Sequence, residues 1–329
     1  MSESENQKLD RRQLITRAAK AGLTIAGAGL AAKLMFDPDG PGVSGEDKKQ
    51  VLFPDYSVAA QAGKTMSVVK GMERQDGVRK AIELLGGIDR FVMKGDVVVI
   101  KPNVAFASPP MLGATTSPDI VVAVIELCYK AGAKKVIVAD NPINDPQSCF
   151  MISGIGAAVE KAGAQLMLPK SFYFKHTTLA GGKLINNWPV FFEPFANANK
   201  VIGIAPVKDH HRSGASLTMK NWYGLLGGRR NIFHQDIYTI VTELAMMIKP
   251  TLVILDGTTV MLTNGPTGGS TTDLKTAKTI IASCDMVAAD TYGAQLLGLG
   301  VNDLPFLSKA EKAGVGTTDW NSLKPIIAG

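Results

Sequence analysis

The chain has few of the residues that mark common cofactor and cross-link chemistry. Its 329 residues include three cysteines and four histidines. Cys128, Cys149 and Cys284 lie far apart with no CxxC among them, so neither a cluster-ligand set nor a disulfide framework is written here, although a single disulfide stays open. The histidines show no HxxxH or HExxH spacing. Long hydrophobic runs are missing too: the mildly apolar stretch from Ala21 to Ala32 is too short to span a bilayer comfortably. What is present is a globular composition, 46% hydrophobic, enough to bury a substantial core in one large α/β domain or two closely fused ones.

The N-terminus sets an expectation of location. "DRRQLITRAAKAGLTIAGAGLAAKLMF" places Arg11 and Arg12 ahead of the Gly/Ala-rich run, the pattern of a bacterial twin-arginine export signal. The positions around the pair, Asp10, Leu14, Ile15 and Thr16, depart from the usual pattern, and an amphipathic N-terminal helix is the alternative. Export by this route implies the twin-arginine translocase as a partner and a periplasmic or extracytoplasmic location for an already folded protein. Lys33 interrupts the apolar run and no A-x-A site follows, so an uncleaved membrane anchor stays open. Residues 1–36 read as signal or anchor, 37–63 as a Pro/Gly/Asp-rich linker, and 64–329 as the α/β domain.

Charge is local. The formal net charge of +6 falls to about +3 without residues 1–36, whereas "KDHHRSGASLTMKNWYGLLGGRRNIFH", residues 208–234, alone carries a net +4 and three of the four histidines. Nucleic acid would call for a broader basic face with interleaved aromatics, so a pocket for an anionic small molecule is expected and nucleic acid is not. A solvated basic surface is the plain alternative.

From residue 65 onward, short β-branched runs alternate with amphipathic stretches: "TMSVVKG", "DVVVIKPN", "KKVIVAD", "AQLMLP", "KVIGIAPVK", "TLVILDG" and "AKTIIAS" read as strands. Helices are expected over "QDGVRKAIELLGGI", after Ser117-Pro118, and near 151–163. The pattern predicts a mainly parallel sheet with helices on both faces. Ligands in such sheets sit outside the carboxyl ends of the strands. There the chain places Lys101 and Asn103, Asp140, Lys208 with His210 and His211, and Asp256. Asn141 and Asn144, beside prolines, read as turn caps. The long loop "VAFASPPMLGATTS" reads as a ligand-binding element leading into a helix N-terminus, with no GxxxxGK[ST] to suggest nucleotide.

In the basic segment, Ser216 is expected to cap a helix carrying Lys220 and Asn221, with Met219, Trp222, Tyr223 and Leu226 on its packing face. His210 and His211 are adjacent, so only one is expected to enter a cleft. His210, His211 and Lys220 are the catalytic candidates, histidine acting as acid or base, with Arg229 and Arg230 fixing a carboxylate or phosphate. A metal held by His210 and His234 is the competing assignment. The Gly-rich loop "DGTTVMLTNGPTGGS", with Gly265, permits close approach of a ligand to backbone amides.

Several ordered stretches, "AIELLGGIDRFVMKGDVVVIKPNV", "GATTSPDIVVAVIELCYKAGAKKVIVAD", "MKNWYGLLGG", "LVILDGTTVMLTNGPTGG" and "SCDMVAADTYGAQLLGL", resemble the DUF362 family over residues 64–299. The resemblance implies that Lys101, Pro102, Asn103, Thr116, Asp140, Lys220, Asn221, Asp256, Gly265 and Pro266 occupy motif positions. It implies no reaction. Many family members continue into a ferredoxin-like module with cysteine clusters. No such clusters stand here, so no iron–sulfur cluster is expected of this chain.

Overall fold

A computed structural model describes residues 50–59 and 61–329, with Arg12 and Thr16 ahead of them. The remainder of the expected export signal lies outside the described residues. Lys49–Gly329 forms one compact unit, so the alternative of two fused lobes does not hold. Part of the expected linker belongs to this unit: Tyr56 is buried and its hydroxyl donates to the Phe195 carbonyl at 3.1 Å.

Eleven strands are described: β1 (Met66–Lys70), β2 (Val97–Lys101), β3 (Lys135–Ala139), β4 (Gln165–Met167), β5 (Phe174–Thr177), β6 (Trp188–Phe191), β7 (Lys200–His210), β8 (Gly214–Ser216), β9 (Leu252–Met261), β10 (Leu274–Ser283) and β11 (Ile326–Ala328). Nine form one sheet in the order β11-β1-β10-β9-β7-β2-β3-β4, with β8 paired to β7, while β5 and β6 form a separate hairpin. Strands β9, β7, β2, β3 and β4 run parallel to one another, as the apolar runs predict. The antiparallel part was not foreseen. No α-helix separates β9 from β10, only a loop ending in a 3₁₀ turn at Thr271–Asp273, so β10 folds back antiparallel on β9, and β1 joins β10 antiparallel.

The parallel strands alternate between two cores because successive side chains point to opposite faces. Val98, Ile100, Val136, Val138, Ile202 and Ile204 enter one core, and Val99, Ile137, Val201, Ala205 and Val207 the other. The first is covered by α1 (Arg74–Leu84), α2 (Pro118–Lys130) and α4 (Ile155–Lys161), which follows the short α3 (Pro146–Ile152). The single helix expected near 151–163 is two helices broken at Gly154, whose φ of 73° is left-handed and ends the first. The second core is covered by α5 (Thr218–Asn221), α6 (Ile237–Met247), α7 (Met286–Leu296) and α8 (Pro305–Lys312). From β2 the chain moves outward through β3 and β4, then returns to place β7 on the other side of β2. That reversal is a topological switch point, where a crevice opens outside the carboxyl ends of β2 and β7.

Candidate functional site

The crevice is a cavity of about 60 Å³. Its wall takes Lys101 from the end of β2, Lys208 and His210 from the end of β7, and Asp140 from just past β3. Lys220, Asn221, Tyr223, Arg230 and His234 come from the basic segment after β8. A single water needs roughly 10–15 Å³ of such space. The cavity therefore suits a small polar ligand or head group.

Three lysines and one arginine face one carboxylate here. Lys101 and Lys208 are each 1% exposed, Lys220 9% and Asp140 2%. Lys101 Nζ lies 2.6 Å from Asp140 Oδ1 and donates to the Pro102 carbonyl and to Asn221 Oδ1, each at 2.8 Å. Asp140 is itself positioned by the amides of Val104 and Asn141, at 2.7 and 2.9 Å. Lys208 donates to the carbonyls of Ala114 and Pro266 and to Asn103 Oδ1. Arg230 spends two nitrogens on the carbonyls of Asn141, Pro142 and Leu226. Its Nε–H and one Nη2 hydrogen remain unused by these bonds. Lys220 meets no acceptor among the described residues; its ammonium lies 5.2 Å from the Tyr223 ring centroid.

Burial opposes these charges. It lowers Lys101 despite Asp140, draws Lys208 down to about 7 with help from Lys220, and draws Lys220 to about 7 with help from Arg230 and Lys101. Burial and the neighbouring cations also hold His210 well below the usual imidazole range, and burial lowers His234.

The two histidines carry their protons on opposite nitrogens. His210 Nδ1 lies 3.2 and 3.3 Å from the amides of Arg212 and Ser213, which can only donate, so Nδ1 is bare and Nε2 carries the hydrogen. His234 Nδ1 lies 3.2 Å from the Asn231 carbonyl and 3.3 Å from the Tyr223 hydroxyl, whose own hydrogen goes to the Arg230 carbonyl. That places the hydrogen on His234 Nδ1 and leaves Nε2 with a free lone pair. The His210 and His234 rings are nearly parallel, 6.1 Å apart, and His211 stacks on His210 at 5.1 Å.

Of the candidates read from sequence, Lys101, Asn103, Asp140, Lys208, His210, Lys220, Asn221, Arg230 and His234 line one cavity. His211 does not; its Nδ1 faces the Gly265 carbonyl at 3.3 Å. Arg229 is exposed and outside the cavity. Asp256 lies within β9, not at its end, and pairs with Arg74 at 3.1 Å. Thr116 acts from behind, accepting from the Asn103 amide at 2.8 Å and donating to the Ile204 carbonyl at 3.0 Å. Gly265 lets the loop close on β7, since a Cβ there would sit 1.9 Å from the Asp209 carbonyl oxygen, and so brings Pro266 to Lys208.

The expected Ser216 cap is absent. Ser216 lines the cavity, and Asp290 of α7 accepts from the amides of Thr218 and Met219 at 2.8 and 2.9 Å. The helix is short because it tightens into a 3₁₀ turn at Trp222–Leu225. Tyr223 packs in the core with Met219, Trp222 and Leu226 as expected and also lines the cavity, and Asn141, expected as a cap, lines the wall too. Gly224 was missed as well: a Cβ there would lie 2.1 Å from Asp140 Oδ1 and 2.8 Å from Lys101 Nζ. The glycine following two aromatics was its only trace in the sequence.

Among proteins of known sequence, the chain is 26% identical over 273 residues to a thylakoid-associated protein of Synechocystis, covering 78% of this chain and 81% of that one. Among solved structures, the lactate racemase apoprotein of Thermoanaerobacterium thermosaccharolyticum matches with a TM-score of 0.39 and 14% identity over 74% of this chain. A Thermotoga maritima protein matches with a TM-score of 0.36 and 11% identity over 72%. The chain spans 58% of the length of each of these two structures. Residues 98–295 match the model of a domain of unknown function, DUF362, and so hold every residue of the cavity. The chain belongs to the DUF362 family.

Proposed function

We propose that the chain is an enzyme acting on a small oxyanion, a carboxylate or phosphate, held in this cavity. The observation that carries the reading is the imbalance of three buried lysines and Arg230 against Asp140 alone. Unpaired buried charge is expensive, and a bound anion offsets it. Lys101 and Lys208 have all three ammonium hydrogens engaged by protein, so they contribute field more than contact. Direct contact falls to Lys220, the unused Arg230 hydrogens and His210 Nε2–H. His234 Nε2 is the base. The tautomers favour this proton-transfer role over a metal at His210 and His234, because a metal on His210 Nε2 would need that nitrogen stripped of its hydrogen while Nδ1 still accepts two amides.

Calorimetric titration with inorganic phosphate tests the site. Binding that is lost in Arg230→Met and His210→Ala is expected, and no heat with phosphate or with any of a panel of small carboxylic acids would overturn the reading. Turnover is tested by deuterium exchange into those acids in D₂O, expected to vanish in His234→Gln with phosphate binding retained. Binding without exchange is the behaviour of a non-catalytic binding protein.

The location is part of the same proposal. Arg11 and Arg12 support export of the folded chain by the twin-arginine translocase, and an uncleaved N-terminus would keep it at a membrane, as the name of the Synechocystis relative suggests for that protein.

A further inference from the structure

The three lysines of the cavity differ in a way that overall charge hides. An ammonium has three hydrogens to place. Lys101 places them on Asp140, Asn221 and the Pro102 carbonyl; Lys208 places them on Asn103 and the carbonyls of Ala114 and Pro266. Lys220, nine-tenths buried and lining the same cavity, places none among the described residues. An ammonium in that position has no hydrogen-bond acceptor among the described residues, faces only the Tyr223 ring and the small cavity, and stands among other cations. A neutral amine has no charge to desolvate and presents a lone pair. Burial, Arg230 and Lys101 all push Lys220 this way, down to about 7. Lys208 is shifted as far, but its three oxygen partners need three hydrogens, and an amine supplies two. Of the two, Lys220 is the group that gives up its proton.

We infer that Lys220 is a nucleophile that forms a Schiff base with the carbonyl carbon of a small oxo acid. The inference rests on the reading of the cavity as an oxyanion site: Arg230 and His210 Nε2–H hold the carboxylate, leaving the adjacent carbonyl to Lys220. The lone pair of Nζ attacks the carbonyl carbon, a C–N bond forms, and the π pair moves to oxygen. His234 Nε2 takes a proton from the nitrogen and passes it to that oxygen. The second hydrogen of Nζ follows, the oxygen leaves as water, and C=N replaces C=O with no oxidant or reductant required.

The test uses pyruvate as probe and sodium borohydride to trap the imine on the full chain, followed by intact mass and peptide mapping. The expected result is one reduced pyruvate on Lys220, blocked by excess phosphate, absent from Lys220→Arg, and formed more readily near about pH 8 than near about pH 6, since the amine is the reactive form. Phosphate titration of Lys220→Arg shows whether the variant keeps its site. Absence of the adduct from wild-type protein that binds phosphate, or an adduct spread over other lysines and unaffected by Lys220→Arg, overturns the Schiff base and leaves the oxyanion site standing. Absence of both the adduct and phosphate binding removes both.

Discussion

Asp140→Asn should be among the most damaging single changes in the protein, although it alters one atom type. Asp140 is the one carboxylate against Lys101, at 2.6 Å, with both groups almost fully buried. Asparagine can keep an oxygen for Lys101 and the Asn141 amide only by setting its NH2 against the Val104 amide, or the reverse, so one donor meets a donor and the charge opposite the ammonium is gone. Removing one member of a buried pair typically costs about 3–5 kcal/mol. At roughly 2–4 °C per kcal/mol for chains of 150–250 residues, the melting temperature should fall on the order of 10 °C. The sign of the pH dependence follows from Lys101. Burial already lowers its folded pKa and Asp140 opposes that, so without Asp140 the folded value drops further while the unfolded chain keeps the ordinary lysine value. Between the two the unfolded state binds more protons, so the deficit of the variant shrinks as pH rises toward the lysine range. Thermal and denaturant melts of wild type, Asp140→Asn and the double variant Lys101→Met/Asp140→Leu check this. The double variant should recover most of the loss. A single-variant cost below about 1 kcal/mol, or no recovery in the double, would refute the claim that this pair is a desolvated ion pair.

Gly224→Ala should cost roughly 1–3 kcal/mol and abolish phosphate binding, since its methyl would sit 2.1 Å from Asp140 Oδ1, whereas Gly269→Ala, with nothing within 4 Å, should leave phosphate binding intact; melting and calorimetry separate them. Phosphate binding should take up a proton and weaken as pH rises through about 7, where Lys220 loses its charge, and titrations in buffers of different ionisation enthalpy would count that proton. Asp290→Ala should cost about 0.5–2 kcal/mol by uncapping α5, and should weaken phosphate binding because Lys220 rides on that helix; unchanged affinity would argue against the coupling. Replacing Arg11 and Arg12 together by lysine should retain the chain in the cytoplasm, as read by cell fractionation.

The strand ends of the site were legible because a buried parallel strand is an apolar run, and a charge where the run stops has few uses. "VVVIK" and "KVIVAD" marked Lys101 and Asp140 in this way. Asp256 followed the same pattern and misled, because β9 runs on to Met261 and its central position turns Asp256 toward Arg74. Tyr223 was assigned to a packing face by helical period and is buried there; its share in the cavity wall was not legible, because it follows from the turn that tightens at Trp222. Arg229 and Arg230 are identical in type and adjacent; only the path of the chain decides that Arg230 reaches the carbonyls of residues 141 and 142. The cap on α5 could not be read locally at all, since its acceptor side chain arrives 72 residues after Thr218.

That late-arriving carboxylate governs the order in which the cavity can come into being. Asp290 lies in α7, and α7 packs beside β9 and β10, the last long strands of the sheet. During synthesis, a chain that has emerged only as far as His234 contains every side chain of the wall except Pro266, yet lacks the group that seats Lys220. Lys220, the proposed nucleophile, therefore depends for its seating on a group synthesised after the whole of the wall. A fragment ending before α7 should hold the right residues without the seating that Lys220 needs, so competence waits on a helix that contributes nothing to the wall itself.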